Sequence, residues 1–440
     1  MIDFSTEIKN YKAAAAKIKH INDIRTNGRI KRVIGLTLES EGPQASIGEL
    51  CSLILPNGKR LPAEVVGFKE HSTLLMPLGE LEGINPGTEV KATGAPMKIK
   101  VGDELLGRVL DGMGEPLDDK GPVEYKEIVP VLNDRPHPLK RKRIKEPLSV
   151  GIKSIDGLLT VGRGQRMGIF AGSGVGKSTL LGMISRFTEA EVNVIALIGE
   201  RGREVREFID KDLGEEGLRR SVVVVATSDM PPLTRLRAAF VATRIAEYFR
   251  DSGKDVLLLM DSITRLAHAQ REIGLAIGEP PSTRGYTPSV FALFPKLLER
   301  AGASERGTLT AFYTILVEAD DMNEPVADTA RGILDGHIVL SRDLAQKGHY
   351  PAVDVLASIS RLMIDVVDDE HTAAATKVKS LMAIYKEAED LISIGAYQKG
   401  SNPDIDLALE KIQTINGFLK QGIKEYVPYS EIVSMLMEIV

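Results

Sequence analysis

Residues 171–178 read Ala171-Gly172-Ser173-Gly174-Val175-Gly176-Lys177-Ser178 and follow the apolar run Met167-Gly168-Ile169-Phe170. Glycines at 172, 174 and 176 let the backbone fold round phosphates with its N–H groups turned inward. Lys177 has the reach for β- and γ-phosphates, and the Ser178 hydroxyl suits Mg²⁺. The spacing predicts a strand, a glycine-rich turn and a helix over Lys177–Phe187, whose positive N-terminus faces the same charge. Gly172, Ser173, Gly174, Val175, Gly176, Lys177, Ser178 and Thr179 are the expected nucleotide-binding residues. Ala171 stands where the pattern G-x-x-x-x-G-K-[ST] begins with glycine. That position ends a strand, where a small residue suffices.

Two carboxylates are spaced to work beside this loop. Asp261 closes the apolar run Val256-Leu257-Leu258-Leu259-Met260, and an acid at the end of a buried strand can hold the Mg²⁺ water shell next to Ser178. An ordinary helix N-cap aspartate is the alternative. Glu200 follows Leu197-Ile198-Gly199 and precedes Arg201-Gly202-Arg203-Glu204. It emerges where two neighbouring parallel strands would end together, a position from which a carboxylate can polarise an attacking water as general base. A salt-bridged surface charge fits the spacing as well.

The elements that must position these groups follow from composition and periodicity. The chain has 440 residues, 43% of them hydrophobic, which supports a large core and two or three domains. With 61 acidic against 56 basic residues, no chain-wide attraction to nucleic acid or anionic membrane is expected. No apolar stretch reaches 18 residues and no signal-peptide core opens the chain, so a soluble, cytoplasmic protein is expected. Cys51 is the one cysteine and reads as a buried structural thiol. Clusters of Cys and His with metal-ligand spacing are absent, leaving nucleotide-borne Mg²⁺ as the expected metal.

Along the chain, Phe4, Ile8, Tyr11, Ala15 and Ile18 recur at helical spacing over residues 1–24. This is either a helix packed on its own domain or a docking helix for a partner. Residues 25–97 carry short β-rich runs (Ile30–Leu38, Leu50–Leu55, Ala63–Phe68, Thr73–Met76, Glu89–Ala92) between Gly, Pro and Asn turns, the pattern of a small β-barrel. Basic and aromatic residues do not interleave there as nucleic-acid stacking needs. The Lys140–Lys145 cluster could attract RNA, but a short, Pro-flanked stretch is expected to be a solvated connector. Over residues 98–364, strand-like runs at Met167–Ala171, Val192–Ile198, Val222–Ala226, Val256–Met260 and Leu309–Val317 alternate with helices such as Thr234–Tyr248 and Ser289–Arg300. This predicts a parallel α/β sheet flanked by helices. Residues 365–440 read as helices: His371–Ala388, Asp404–Gln421 and Tyr429–Met437.

At this point a family resemblance becomes specific. Gly199-Glu200-Arg201, the Asp261 strand and Pro351-Ala352-Val353-Asp354-Val355-Leu356-Ala357-Ser358-Ile359-Ser360 together resemble the rotary-ATPase and type III export ATPase superfamily. The last ten match the P-x-[VI]-D-x-x-x-S-x-S signature of its α/β-type subunits. Ala269-Gln270-Arg271-Glu272-Ile273-Gly274, Gly278-Glu279-Pro280-Pro281, Gly285-Tyr286-Thr287-Pro288 and Leu297-Leu298-Glu299-Arg300 are similar to the export branch. The resemblance covers almost the whole chain and is nearest to the flagellar protein export ATPases. It implies an α/β fold with an N-terminal β-barrel serving oligomerisation, a central RecA-like P-loop ATPase domain with a parallel sheet, and a C-terminal helical domain. Glu200 would be the catalytic carboxylate, Lys177 the phosphate lysine and Arg201 a neighbour of the γ-phosphate. Tyr350 would stack on adenine, and Arg361 would be an arginine finger reaching the γ-phosphate of an adjacent subunit. Arg265 would also line the site. Ser178 and Asp261 would hold Mg²⁺, with ATP as the nucleotide.

A finger supplied in trans requires a homo-oligomer, which the family implies is a hexamer. The resemblance further implies a stator-like regulator at residues 1–20, a central stalk-like protein, and export-gate and chaperone–substrate partners. Association with the membrane would be peripheral, at the cytoplasmic face of the export apparatus. The acidic loop at 318–325 is either a solvated loop or the segment that touches the stalk. The expected activity is ATP hydrolysis that energises and loads flagellar type III export, with no nucleic-acid partner. Three alternatives share the motifs: the ATPase of a virulence type III secretion system, a nucleic-acid motor of the hexameric helicase type, and a rotary synthase subunit.

Overall fold

A computed structural model describes residues 27–133, 137, 139, 141–317 and 321–440. The expected helix within 1–24, Lys140, and residues 318–320 of the acidic loop lie outside the described residues. The chain forms two compact units that divide after Met97.

The first unit is a closed antiparallel barrel. Its strands are β1 (Gly28–Ile34), β2 (Thr37–Glu41), β3 (Glu49–Ile54), β4 (Arg60–Lys69), β5 (Ser72–Pro77) and β6 (Glu89–Pro96), ordered β1-β2-β5-β4-β3-β6. The run Ile30–Leu38, expected as one strand, is a hairpin. Ile34 pairs with Thr37 across Gly35-Leu36, and Gly35 takes a positive φ of 55° that an extended strand does not allow. Inward-facing Ile30, Leu38, Leu53, Val65, Leu75 and Val90 fill the barrel with Cys51. Burial pushes the Cys51 thiol up to about 11, with Glu49 adding to it, so it is an inert apolar filler, as expected.

The second unit is built on eight strands in one sheet. Two short ladders flank it: β7 (Lys98–Val101) pairs with β9 (Glu127–Pro130), and β10 (Pro147–Leu148) with β11 (Val161–Gly162). The sheet comprises β8 (Val109–Asp111), β12 (Arg166–Ala171), β13 (Val192–Ile198), β14 (Ser221–Ala226), β15 (Asp255–Asp261), β16 (Thr308–Leu316), β17 (Gly336–Leu340) and β18 (Val353–Ser360). Their order is β18-β17-β12-β16-β15-β13-β14-β8. All neighbours are parallel except β17 and β18. The sheet is therefore mixed rather than purely parallel. β13 and β14 are buried at every residue, which is why they read as unbroken apolar runs: helices cover both faces.

The Pro232–Asp251 helix lies across β13, β14 and β15. The C-terminal helices Asp369–Ser393 and Pro403–Leu419 pair with each other, and Tyr429–Ile439 packs on the Lys153–Leu158 helix. Val378, Ile415, Phe418 and Leu436 from these helices share one buried cluster with Ile169 of β12 and Ile184 behind the P-loop. At the Lys140–Lys145 cluster, Lys142, Arg143 and Lys145 are exposed as expected of a connector. Arg141 departs from it: its guanidinium donates to the carbonyls of Glu299 and Ala301 and holds the segment to the sheet unit.

Candidate functional site

β12 ends at Ala171 and the helix Lys177–Phe187 begins six residues later. Gly174 and Gly176 take φ of 78° and 89°, the left-handed region that side chains disfavour. A Cβ on Gly176 would also stand 3.4 and 3.5 Å from two ring carbons of Tyr350. This glycine therefore serves both the turn and the close approach of an aromatic ring, which is itself 46% exposed. The loop exposes Ser173, Gly174 and Ser178 to solvent while burying Gly172 and Val175.

The parallel register brings both expected carboxylates to Lys177. β13 pairs with β15 so that Leu197 stands opposite Asp261, and the two strands deliver Glu200 and Asp261 to one end of the sheet. Lys177 Nζ bonds Asp261 Oδ1 and lies 3.6 Å from Glu200 Oε1. The side chains are only 12%, 16% and 6% exposed for Lys177, Glu200 and Asp261. Thr314, buried on β16, donates from its hydroxyl to Asp261 Oδ1 at 2.6 Å. Asp261 is thus not a simple helix cap; the Ile263–Ala276 helix that follows is capped by Ser262, whose side chain accepts from Arg265 N.

Burial raises the Glu200 carboxyl to about 7. The Lys177 ammonium pulls it down, while the Asp261 carboxylate and a hydrogen bond with Glu204 push it up. A carboxyl poised there is matched to proton transfer near neutral pH. Gly199 precedes it with φ 70°, and a Cβ at 199 would meet Arg265 Cβ at 2.7 Å. Arg265 therefore packs its stem directly beneath the Glu200 turn. Its Nε is buried without a hydrogen-bond partner, an unused donor on the side chain that packs against the Gly199 turn.

Two expected site residues lie apart from this cluster. Arg201 is 76% exposed and meets Glu204 Oε1 at 3.3 Å. Arg361 is exposed just beyond β18. Because β18 runs antiparallel, Val353 pairs with Leu340 at the P-loop end of the sheet and Ser360 with Gly336 at the other. The Arg361 N–H donates to Asp335 O, and the Asp335 N–H to the carbonyl of Arg166. Arg166 is the first residue of the six-residue β12 and Ala171 the last, a separation of about 17 Å at ~3.3 Å per residue. The Arg361 backbone is therefore at the opposite end of the sheet from its own P-loop.

Thr314 was not anticipated, although a signal exists. It is a hydroxyl inside the apolar run Ala311–Leu316, and a buried hydroxyl needs a partner. Glu204 was visible only as one charge among several.

Three family models match the chain: "ATP synthase alpha/beta family, beta-barrel domain" over residues 30–94, "ATP synthase alpha/beta family, nucleotide-binding domain" over 151–360, and "T3SS EscN ATPase C-terminal domain" over 367–438. The flagellum-specific ATP synthase of Bacillus subtilis (strain 168) is 58% identical over 423 residues, covering 95% of this chain and 96% of the relative. The type 3 secretion system ATPase of Xanthomonas euvesicatoria is 51% identical over 416 residues, covering 94% of each. Among solved structures, the assembled ATPase EscN of the enteropathogenic E. coli type III secretion system superposes with a TM-score of 0.89 at 47% identity, covering 94% of this chain and 99% of that one. A structure of assembled EscN in complex with its central stalk EscO gives 0.87 at 46% identity, with the same coverage. A P-loop lysine between two largely buried carboxylates, set in this fold and this company, places the chain in the ATP synthase alpha/beta family: it belongs to the branch of flagellum-specific and type III secretion ATPases, ATP-binding hydrolases of protein export.

Proposed function

We propose that the chain hydrolyses MgATP to ADP and phosphate to energise and load substrates for flagellar type III export, acting as a ring. The observation that carries the chemistry is the Lys177–Asp261–Glu200 cluster. With nucleotide bound, Lys177 turns from the carboxylates to the phosphates, and Glu200 is left to take a proton from the attacking water. Asp261 offers a hard oxygen ligand, and Ser178 an exposed hydroxyl in the first turn of the P-loop helix. These donors fit magnesium, which when bound with ATP neutralises charge on its terminal phosphates. Arg265 Nε adds a donor, and Tyr350 offers a face for adenine against Gly176.

The topology of β18 supports a finger acting in trans. Arg361 is exposed at the sheet end remote from its own P-loop, so its charge serves a neighbouring copy. The assembled state of EscN supports a ring for this chain, six-fold by family resemblance. The EscN–EscO complex supports a central stalk partner. Export-gate and chaperone–substrate contacts, a regulator at residues 1–20 and a place at the cytoplasmic face of the export apparatus complete the reading. Among the described residues no helix is long and apolar enough to cross a membrane, in keeping with peripheral attachment. ATP turnover measured against protein concentration, with molecular mass followed in parallel, tests the assembly. Turnover per subunit should rise steeply where the ring forms, and a flat profile refutes the requirement for a neighbour.

The virulence branch is the second reading, favoured by the 51% identity to the Xanthomonas relative and by the EscN superposition. Expression in a Bacillus subtilis strain lacking its own flagellum-specific ATP synthase separates the two. Restored motility supports the flagellar assignment, and stable expression without motility counts against it.

A further inference from the structure

The turn between the last two helices is bonded to both walls of the nucleotide site. Gln421 follows the Pro403–Leu419 helix and is 6% exposed. Its backbone N–H donates to the carbonyl of Tyr350 at 3.0 Å. Its side-chain amide is fully engaged. Oε1 accepts from Lys153 N at 2.8 Å, and Nε2 donates to the carbonyls of Gly151 and Glu425, each at 2.7 Å. One donor and two carbonyls fix the amide in a single orientation. Two residues on, the carbonyl of Ile423 accepts from Arg186 Nη2 at 2.8 Å, which ties the same turn to the P-loop helix.

We propose that Gln421 is a positioning residue for purine recognition: its amide pins the turn to the start of the Lys153–Leu158 helix, and its own N–H then holds Tyr350 against Gly176. The inference rests on Tyr350 being the adenine platform. The physical logic is pre-organisation. Tyr350 is 46% exposed, so packing covers only part of it. A ring already held in place loses less freedom when the base arrives. Phosphate binding draws on the P-loop and Lys177, which Gln421 does not touch, so the effect falls on the base and spares the phosphates.

The test uses the full chain and two probes, ADP and pyrophosphate, titrated calorimetrically. Gln421→Met keeps the length and removes every side-chain bond. Gln421→Glu keeps the acceptor for Lys153 N–H and loses the donors to Gly151 and Glu425. Both should weaken ADP about tenfold while pyrophosphate stays within about twofold, and KM for ATP should rise by the same factor with little change in kcat. Tyr350→Ala should weaken ADP comparably, and adding Gln421→Met to it should weaken ADP little further, since coupled residues are not additive. An unfolding scan of each variant identifies any that fails to fold, in which case the other carries the comparison. Equal loss of ADP and pyrophosphate, or unchanged ADP binding in a folded Gln421→Met protein while Tyr350→Ala is impaired, overturns the positioning role. Unchanged ADP binding in Tyr350→Ala overturns the platform reading itself, and the inference with it.

Discussion

Replacing Glu200 with glutamine removes a charge that the folded chain holds unfavourably. Burial lifts this carboxyl from its ordinary 4.5 to about 7. Below pH about 4.5 the folded and unfolded chains both carry the proton, and the group exacts no penalty. Between about 4.5 and 7 the folded chain holds more protons than the unfolded one, so stability falls as pH rises, and above 7 the full difference is lost. At about 1.4 kcal/mol per pH unit this amounts to about 3 kcal/mol. Spread over the unit Lys98–Val440, it is about 4 °C in unfolding midpoint at ~2.1 cal/mol/K per residue. Glutamine has the shape of the neutral acid, so Glu200→Gln should be about 3 kcal/mol more stable than the parent at pH 8 without nucleotide. That gain should shrink below about 1 kcal/mol by pH 5. ATP turnover of the same protein should fall by about 10²- to 10⁴-fold, the range for losing a general base. In the parent, kcat/KM, which reports the free protein's groups, should rise with pH through about 7 as the carboxylate forms. Paired thermal scans at pH 5 and 8 with a phosphate-release assay make the measurement. A stabilisation independent of pH, or turnover within tenfold of the parent, refutes the account of Glu200 as a destabilised base.

Lys177→Ala should abolish turnover and leave Asp261 and Glu200 as two largely buried carboxylates without their cation, so the apo protein should also lose stability most clearly at alkaline pH; calorimetry with and without nucleotide reads both effects. Arg361→Ala should cut turnover of the assembled ring by about 10³-fold or more while the isolated subunit keeps its ADP affinity. Mixing it with Glu200→Gln subunits should recover part of the activity, and no recovery at any ratio counts against a finger in trans. Gly176→Ala forces a side chain into φ 89° and towards the Tyr350 ring; it should cost about 1–3 kcal/mol and weaken ADP, and an unaltered unfolding midpoint would contradict this.

The parts of the site that sit on single elements were legible in the residues themselves. An apolar run closed by one acid identifies Asp261, and the glycine spacing identifies the P-loop, because strand burial and phosphate geometry each demand a local pattern. Glu200 was legible as a strand-end charge, but its spacing fitted a surface salt bridge as well, and only the register of β13 and β15 sets it beside Lys177. What could not be read were relations between distant segments. Tyr350 and Gln421 are 71 positions apart, and the bond between them uses a backbone N–H that no side-chain pattern announces. The run Ile30–Leu38 looked continuous because only one residue, Gly35, breaks its β texture, and its φ of 55° is invisible until the hairpin closes. Likewise, β18 shows its signature residues plainly but not its direction, and direction alone decides at which end of the sheet Arg361 stands.

On the proposed trans arrangement, that reversed last strand would give each protomer two unlike poles, one to grip the anion and the other to extend a cation. Identical copies joined pole to pole form a circuit with a sense of circulation. In such a circuit each site would depend on the neighbour on one side and complete the site of the neighbour on the other.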